Sequence, residues 1–205
     1  TDFITKYTLG GEIKSTKWTS NGNSLSTRFI SGDKSVVGKV ELSKFTHLSP
    51  CELGVYNTGQ LSSLLSVLGD DVEVSLSNSG DKFISMEFVD TKRKTKSKYM
   101  LSDLSVIPTP PELKNLPDSF ELGIKVDPYF VNTFISGKGA LSEAETFTIL
   151  TENNETKIVI GYASIASNRV TIPVETTKYK EIEPISFNAN MFASILNANK
   201  DCESA

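Results

Sequence analysis

Few residues in this chain could perform catalysis, and they are scattered along the sequence. The 205 residues include one histidine, His47, and two cysteines, Cys51 and Cys202, which lie far apart. Metal and acid–base sites need several such groups close together, so these three do not predict one. Asp70 and Asp71 are an adjacent carboxylate pair, but such a pair at a turn more often caps the backbone or faces solvent. We therefore expect no enzyme, metal or cofactor, and a reducing compartment.

The densest charge lies in the segment TKRKTKSKY, between Thr91 and Tyr99. Its basic residues are Lys92, Arg93, Lys94, Lys96 and Lys98. In a strand, the four lysines would project from one face, because alternate side chains of a strand point the same way. One interpretation is a solvated or edge strand that its lysines protect from aggregation. The other is an electrostatic surface for an acidic partner, a neighbouring subunit or DNA.

The overall charge and hydropathy exclude other classes. The formal net charge is −4, and an acidic protein is not an obvious nucleic-acid binder, although it can bind DNA if its basic groups lie on one face. No apolar run of about 18 residues predicts a transmembrane helix, and no leader resembles a secretory signal. We therefore expect an intracellular protein.

The element around which the chain is organised is Glu52–Ser77, which predicts a strand, a helix and a second strand. Four leucines with helical spacing form the apolar face of the helix: Leu61, Leu64, Leu65 and Leu68. Gly69 is a stop signal, and an alternating apolar run follows it. The same plan recurs in Glu121–Leu150 and Pro184–Lys200, with helices about 60–70 residues apart, which indicates an internal repeat. Three unrelated helices in an α+β protein remain the alternative.

The remaining chain divides into two predicted halves. A helix is expected near Asp2–Tyr7, ending at Gly10 and Gly11. Further strands are expected at Glu12–Thr19, Leu25–Ser31, Ser35–Leu42, Lys82–Phe88, Lys92–Leu101, Ser119–Val126, Glu145–Thr151, Thr156–Ala163, Arg169–Tyr179 and Glu183–Phe187. The segment VIPTPPELKNLPD carries four prolines, which suit an extended connector. We therefore predict domains at residues 1–107 and 119–205, joined by a linker at 108–118.

Three segments resemble the DNA sliding clamps of T-even-like bacteriophages, which are polymerase processivity factors. They are CELGVYNTGQLSSLLSVLGDDVEVSLS, the proline-rich crossover that ends in PDSFELGIKVDPYFVNTFI, and PISFNANMFASIL. The resemblance covers roughly Leu25 to Lys200. Two features depart from the family: its first helix is longer, and its last sheet is absent after the final helix. The second domain is thus expected to be incomplete at its C-terminus, or to have its edge covered by a partner.

The resemblance implies an α+β DNA-clamp fold with two pseudo-symmetric domains, each an antiparallel sheet with helices on one face. It also implies a homotrimeric ring around duplex DNA, in the host cytoplasm, that tethers the replicative polymerase and is opened by an ATP-driven clamp loader. Such a clamp has no active site and no membrane partner. A non-enzymatic phage structural or scaffold protein, built of repeated α+β units, is the alternative.

The clamp resemblance implies two sets of site residues. If helices line a DNA hole, Lys6, Lys138 and Lys200 are candidates for phosphate contacts, although lysines near helix C-termini also stabilise the helix dipole without DNA. The outer side of the Glu52–Ser77 helix, with Gln60, Ser63 and Ser66, is uncharged. Partner peptides of clamps bind in a groove between domains, and the residues here that could flank it are Val106, Ile107, Pro110 and Leu113. Ordinary linker packing is the alternative for these four.

Overall fold

A computed structural model describes residues 2–112, 119–163, 165 and 167–200. The chain divides into two compact units, unit 1 at residues 1–113 and unit 2 at residues 114–205. Each unit has its own sheet and its own helices. Residues 113–118 of the predicted linker, which include Leu113, lie outside the described residues. The predicted linker boundaries therefore stay a prediction.

Unit 1 alternates helices with antiparallel strands. Its elements are α1 (Asp2–Thr8), β1 (Thr16–Ser20), β2 (Ser24–Ile30), β3 (Val37–Ser43), β4 (Cys51–Val55), α2 (Thr58–Ser66), β5 (Val72–Ser79), β6 (Lys82–Asp90) and β7 (Lys96–Met100). The strands form one sheet with the order β3-β2-β1-β4 and a second with the order β5-β6-β7. An isolated bridge between Gly54 and Ser102 joins the two sheets.

Unit 2 follows a similar plan. Its elements are β8 (Gly123–Ile124), α3 (Pro128–Ala140), β9 (Thr146–Glu152), β10 (Glu155–Ile160), β11 (Val170–Val174), β12 (Thr176–Lys178), β13 (Ile185–Asn188) and α4 (Ala189–Ala198). The main sheet has the order β11-β10-β9-β13, and β12 pairs with β8. The order matches β3-β2-β1-β4 strand for strand, since β9, β10, β11 and β13 take the places of β1, β2, β3 and β4.

The core of each unit begins with an aromatic pair, four residues apart on the first helix, that packs on an aromatic residue of the next strand. In unit 1 the pair is Phe3 and Tyr7, and the strand residue is Trp18. The Phe3 and Trp18 rings are 5.4 Å apart, and Trp18 Nε1 donates a hydrogen bond of 3.1 Å to the Tyr7 hydroxyl. Edge-on contacts of this kind add to the free energy of apolar burial.

In unit 2 the corresponding pair is Phe130 and Phe134, on α3. Phe134 contacts Phe147 of β9 at 5.1 Å and Phe192 of α4 at 4.9 Å, in both cases edge to face. Phe187 of the edge strand β13 stacks on Phe147 at 5.5 Å. This cluster therefore joins both helices of unit 2 to its sheet.

The predicted copies of the strand–helix–strand plan contain β4-α2-β5, β8-α3-β9 and β13-α4, but the repeating unit of the structure is a different one. Each of the helices α1, α2 and α3 precedes a meander of three antiparallel strands: β1-β2-β3, β5-β6-β7 and β9-β10-β11. The helix at the start of the chain is a full member of the repeat, and it ends where expected, at Gly10 and Gly11, which both have positive φ angles. Among the described residues of unit 2, α4 is not followed by a meander.

Two predicted strands of unit 2 differ clearly from the structure. The predicted strand Ser119–Val126 is reduced to Gly123–Ile124, because its partner is the three-residue strand β12. The predicted strand Arg169–Tyr179 is two strands, since the chain pairs with β10 up to Val174 and with β8 from Thr176. The change of partner breaks the ladder at Glu175.

Candidate nucleic-acid and partner surfaces

Helix α2 is held at its N-terminus by three side chains from different parts of unit 1. Asn57 Oδ1 caps the helix by accepting the Gln60 N–H at 3.0 Å. The Tyr99 hydroxyl of β7 accepts the Asn57 N–H at 3.0 Å, and the Thr58 hydroxyl donates to the Lys14 carbonyl at 3.0 Å. These bonds fix the angle at which α2 leaves the sheet.

The two faces of α2 differ as the leucine spacing predicts. Leu61 and Leu68 are buried, whereas Gln60, Ser63 and Ser66 are exposed. The Ser63 hydroxyl donates to the Gly59 carbonyl at 3.0 Å and the Ser66 hydroxyl to the Ser63 carbonyl at 2.8 Å. Because these protons are already used within the helix, the two serines present only oxygen lone pairs to a ligand, and the outer face carries no charge.

A groove of about 680 Å³ runs between α1 and the N-terminal half of α2. Its wall includes the hydroxyl residues Ser15, Thr58 and Ser62, together with Tyr56 and one cation, Lys14. A phosphate group needs donors or positive charge, and in this wall Thr58 has turned its proton inward. With Lys14 as the one cation in its wall, the groove offers a phosphate backbone little positive charge.

The three lysines that the clamp resemblance assigns to DNA differ in their surroundings. Lys138 is only 8% exposed, and its ammonium donates to the Ser142 carbonyl at 2.8 Å and the Leu141 carbonyl at 3.4 Å. Those carbonyls follow the C-terminus of α3, where a cation also stabilises the helix dipole. These contacts favour the helix-end alternative for Lys138, and its assignment to DNA stays a prediction. Lys6 is half-buried on α1, and Lys200 is exposed just after α4.

The residues expected to flank a partner groove are mostly packed against unit 1. Val106 is 59% exposed, but Ile107 and Pro110 are buried. Ile107 lies over Gly54, and the Arg28 guanidinium donates to the Pro110 carbonyl at 2.9 Å. Their contacts fit the linker-packing alternative, and Val106 keeps its side chain available to a partner. Leu113 lies outside the described residues.

Gly54 is needed where the segment after β7 crosses β4. A Cβ atom at this position would lie 2.2 Å from the Ser102 carbonyl oxygen, which is shorter than any normal contact. The glycine therefore allows β4 and the segment after β7 to meet at their single bridge. The sequence marks the residue only as part of the Glu-Leu-Gly at a strand start.

The basic segment is not one continuous strand, which corrects the prediction of four lysines on a shared face. Residues 91–93 form a turn, Lys94 has a φ of 60°, and β7 begins at Lys96. The cause is Asp90, whose carboxylate accepts the N–H groups of Lys92 at 2.9 Å and Arg93 at 2.8 Å.

Asp90 also joins this turn to the end of α2. Its second carboxylate oxygen accepts the Gly69 N–H at 2.8 Å. The Arg93 and Gly69 backbone bonds lower the pKa of the Asp90 carboxyl, because they stabilise its ionised form.

The cations of the segment are partly neutralised by their neighbours. Lys92 pairs with Asp71, and Lys98 pairs with Glu87 across the strands at 3.0 Å. Arg93, Lys94 and Lys96 are exposed. Exposed ion pairs contribute about 0–1 kcal/mol each, so this surface adds little to stability.

Two further properties of the described residues concern metal binding and membrane insertion. Among the described residues, no three His, Cys, Asp or Glu side chains are grouped so that they could hold a metal ion. In the same part of the chain, no helix is long and apolar enough to span a bilayer.

The chain matches known proteins in structure but not in sequence. No protein-family model matches the chain, and no curated protein matches its sequence. Among solved structures, it is similar to PCNA from Thermococcus kodakaraensis, with a TM-score of 0.68 over 99% of this chain and 82% of the other, at 12% identity. The fold is a DNA clamp.

Some features of the fold are recognisable in the sequence, and others are seen only in the structure. The leucine spacing predicts the helix α2 between two strands. The position of Lys138 near a helix C-terminus leaves its role open in the sequence, and only the structure shows that it bonds the Leu141 and Ser142 carbonyls.

Proposed function

We propose that this chain is the subunit of a sliding clamp, a DNA polymerase processivity factor that encircles duplex DNA and tethers the replicative polymerase. The observation that carries the proposal is the clamp fold itself, with the same strand order in the main sheet of both units. In this role the protein is a non-enzymatic tether, and it requires no cofactor.

The small number of cations on the helix surfaces favours a clamp that slides along DNA over one that binds it tightly. Lys6 and Lys200 are the lysines that we assign to DNA, while the outer face of α2 is uncharged. Sequence-independent affinity comes mainly from phosphate contacts, so few cations give weak binding that is easily broken and remade. A clamp retained by topology needs no stronger contact.

The proposed assembly is a closed ring. Head-to-tail contacts between identical subunits close when their rotation permits, and we propose a homotrimer as in the phage clamps that the sequence resembles. The proposal further includes an ATP-driven clamp loader, a T-even-like phage as the source and the host cytoplasm as the location. The exposed cations Arg93, Lys94 and Lys96 are available to a neighbouring subunit or to an acidic partner.

The decisive experiment is primer extension on a singly primed circular template, with the polymerase and loader of a T-even-like phage. We expect longer products when the protein is added, and no gain on a linear template with open ends, from which a ring slides off. Equal product lengths with and without the protein on the circle would contradict the proposal. Sedimentation over a range of concentrations tests the ring separately and should show a trimer.

A further inference from the structure

A pocket of about 460 Å³ lies inside unit 1, where its two sheets and its two helices converge. Protein interiors are packed about as densely as organic crystals, and few of their voids are larger than a water molecule. A space of this size between packed elements is therefore not ordinary core packing, and it lies within the range of about 300–1,000 Å³ that is typical of small-molecule sites. None of the lysines that we assign to DNA lines this pocket.

The inner walls of the pocket are apolar, because strand register places large side chains on one face of each sheet. Leu25 of β2 is paired with Leu42 of β3, and Val74 of β5 is paired with Phe88 of β6. Side chains that are paired across antiparallel strands project from the same face. The single tryptophan of the chain, Trp18, is 6% exposed and also lines the pocket. The inner part of the pocket can therefore enclose an apolar group next to a fluorescent side chain.

The pocket opens to solvent beside the segment that joins β3 to β4. Leu42 is 40% exposed there, and the ring of the exposed residue His47 contacts the Phe45 ring edge-on at 5.2 Å. All three side chains belong to the lining. The pocket thus reaches the surface, and a ligand can enter it without a change in the fold.

One formal charge belongs to the lining, the carboxylate of the exposed residue Asp70. The neighbouring carboxylate of Asp71 pairs with Lys92, whereas Asp70 has no ion-pair partner among the residues that the structure describes. An unpaired carboxylate at the edge of an apolar pocket favours a ligand that carries a cation next to its apolar part, and it disfavours an anion.

We propose that this pocket binds a small cationic amphiphile, an alkylammonium ion whose apolar chain has about ten carbons. An apolar cavity of about 150 Å³ holds one benzene molecule, so a pocket about three times as large has room for a chain of that length. The chain lies against the cross-strand pairs of the two sheets, and the ammonium group lies near Asp70. The site is contained within unit 1, so binding requires neither a ring nor DNA.

The test uses the full chain, the fluorescence of Trp18 and three alkyl ligands. At pH 7, decylammonium should change the Trp18 emission saturably, with a Kd on the order of 10–100 µM. Decanoate has an apolar chain of similar length and the opposite charge, and it should bind at least about tenfold more weakly. Hexylammonium lacks four methylene groups, each worth about a fourfold factor when buried, and it should bind at least about thirtyfold more weakly. No saturable change with decylammonium, or equal binding of either other ligand, would overturn the proposal.

Thermal unfolding separates binding in the pocket from detergent action. A ligand that binds only the folded chain raises the Tm, whereas an amphiphile that binds the unfolded chain lowers it. Decylammonium at about ten times its Kd should therefore raise the Tm of the protein. A lowered Tm at that concentration would contradict the proposal.

Two pocket variants and two matched controls locate the binding. Val74→Phe narrows the pocket and should weaken decylammonium at least about tenfold, whereas Val67→Phe makes the same change at an exposed residue outside the pocket and should have no effect. Asp70→Asn leaves the apolar walls intact and should remove the preference for decylammonium over decanoate. Asp81→Asn changes an exposed carboxylate outside the pocket and should keep that preference. Unchanged binding in both pocket variants, with parent-like thermal unfolding, would contradict a site at this position.

Discussion

At the residue scale, the surroundings of Lys138 decide its role. Its ammonium bonds two carbonyls at the end of α3 and is almost covered. Hydrogen bonds to a charged group contribute about 1.5–3 kcal/mol. We therefore expect Lys138→Gln to lower the free energy of unfolding by about 1–2 kcal/mol in urea titrations, and to leave DNA affinity unchanged.

Lys200→Gln is the matched control for that prediction, because Lys200 is exposed. In the same two measurements it should reduce DNA affinity and leave stability unchanged. A loss of DNA affinity in the Lys138 variant, without a loss of stability, would restore Lys138 to the DNA surface.

Asp90 gives a prediction about pH. Its carboxylate accepts three backbone N–H groups, and its folded-state pKa lies below the ordinary value of 3.8. A carboxyl with a lowered folded pKa stabilises the fold above the unfolded pKa, and that stabilisation is lost as the pH falls through the folded pKa. Asp90→Asn should thus lower the urea midpoint at pH 7 and flatten its decline below about pH 4.

The pH experiment has an internal comparison. Asp81 is an exposed carboxylate in the turn that precedes β6, and Asp81→Asn should leave the urea midpoint at pH 7 close to the parent's. A pH profile of the Asp90 variant that is as steep as the parent's would show that other carboxyls control acid unfolding.

At the element scale, α2 joins a buried leucine face to an outer face without charge. If that face lies against DNA, then Ser63→Lys together with Ser66→Lys should raise the affinity for duplexes of unrelated sequence. Each added phosphate contact should steepen the plot of log K against log salt by about 0.9. Anisotropy titrations at several salt concentrations measure both effects.

The matched control adds the same charge to another element of unit 1. Ser75→Lys with Ser79→Lys places two lysines on exposed positions of β5. If the added charge alone raised the DNA affinity, the increase would be equal in both double variants. An increase in DNA affinity confined to the α2 variant assigns the DNA surface to that helix.

At the scale of the whole molecule, the two units have separate cores, and unit 1 contains two sheets and two helices of its own. A domain with its own core can fold alone. We expect a fragment that ends at Glu112 to unfold cooperatively on heating and to give dispersed amide proton signals by NMR. A fragment without dispersed signals would show that unit 1 depends on the rest of the chain.

Much of the fold could be predicted because it depends on local periodicity. The leucine spacing predicted α2, and the recurrence of its plan in Glu121–Leu150 and Pro184–Lys200 predicted α3 and α4. Most strands of the meanders were found from alternation and turn residues. Strand order could not be derived this way, because register between distant strands depends on packing across the sheet.

The sequence by itself determined the amphipathic helices α2, α3 and α4 and most of the strands, because these are properties of residue type and spacing. Tertiary structure alone decided which individual charged and apolar residues are exposed and which are buried. Lys138 and Lys200 are equivalent in sequence terms, yet one caps a helix and the other is exposed. Ile107 and Phe83 are both apolar, yet one is buried against Gly54 and the other lines an open groove. The physical reason is that burial is set by contacts between residues far apart in the chain, which no local pattern encodes.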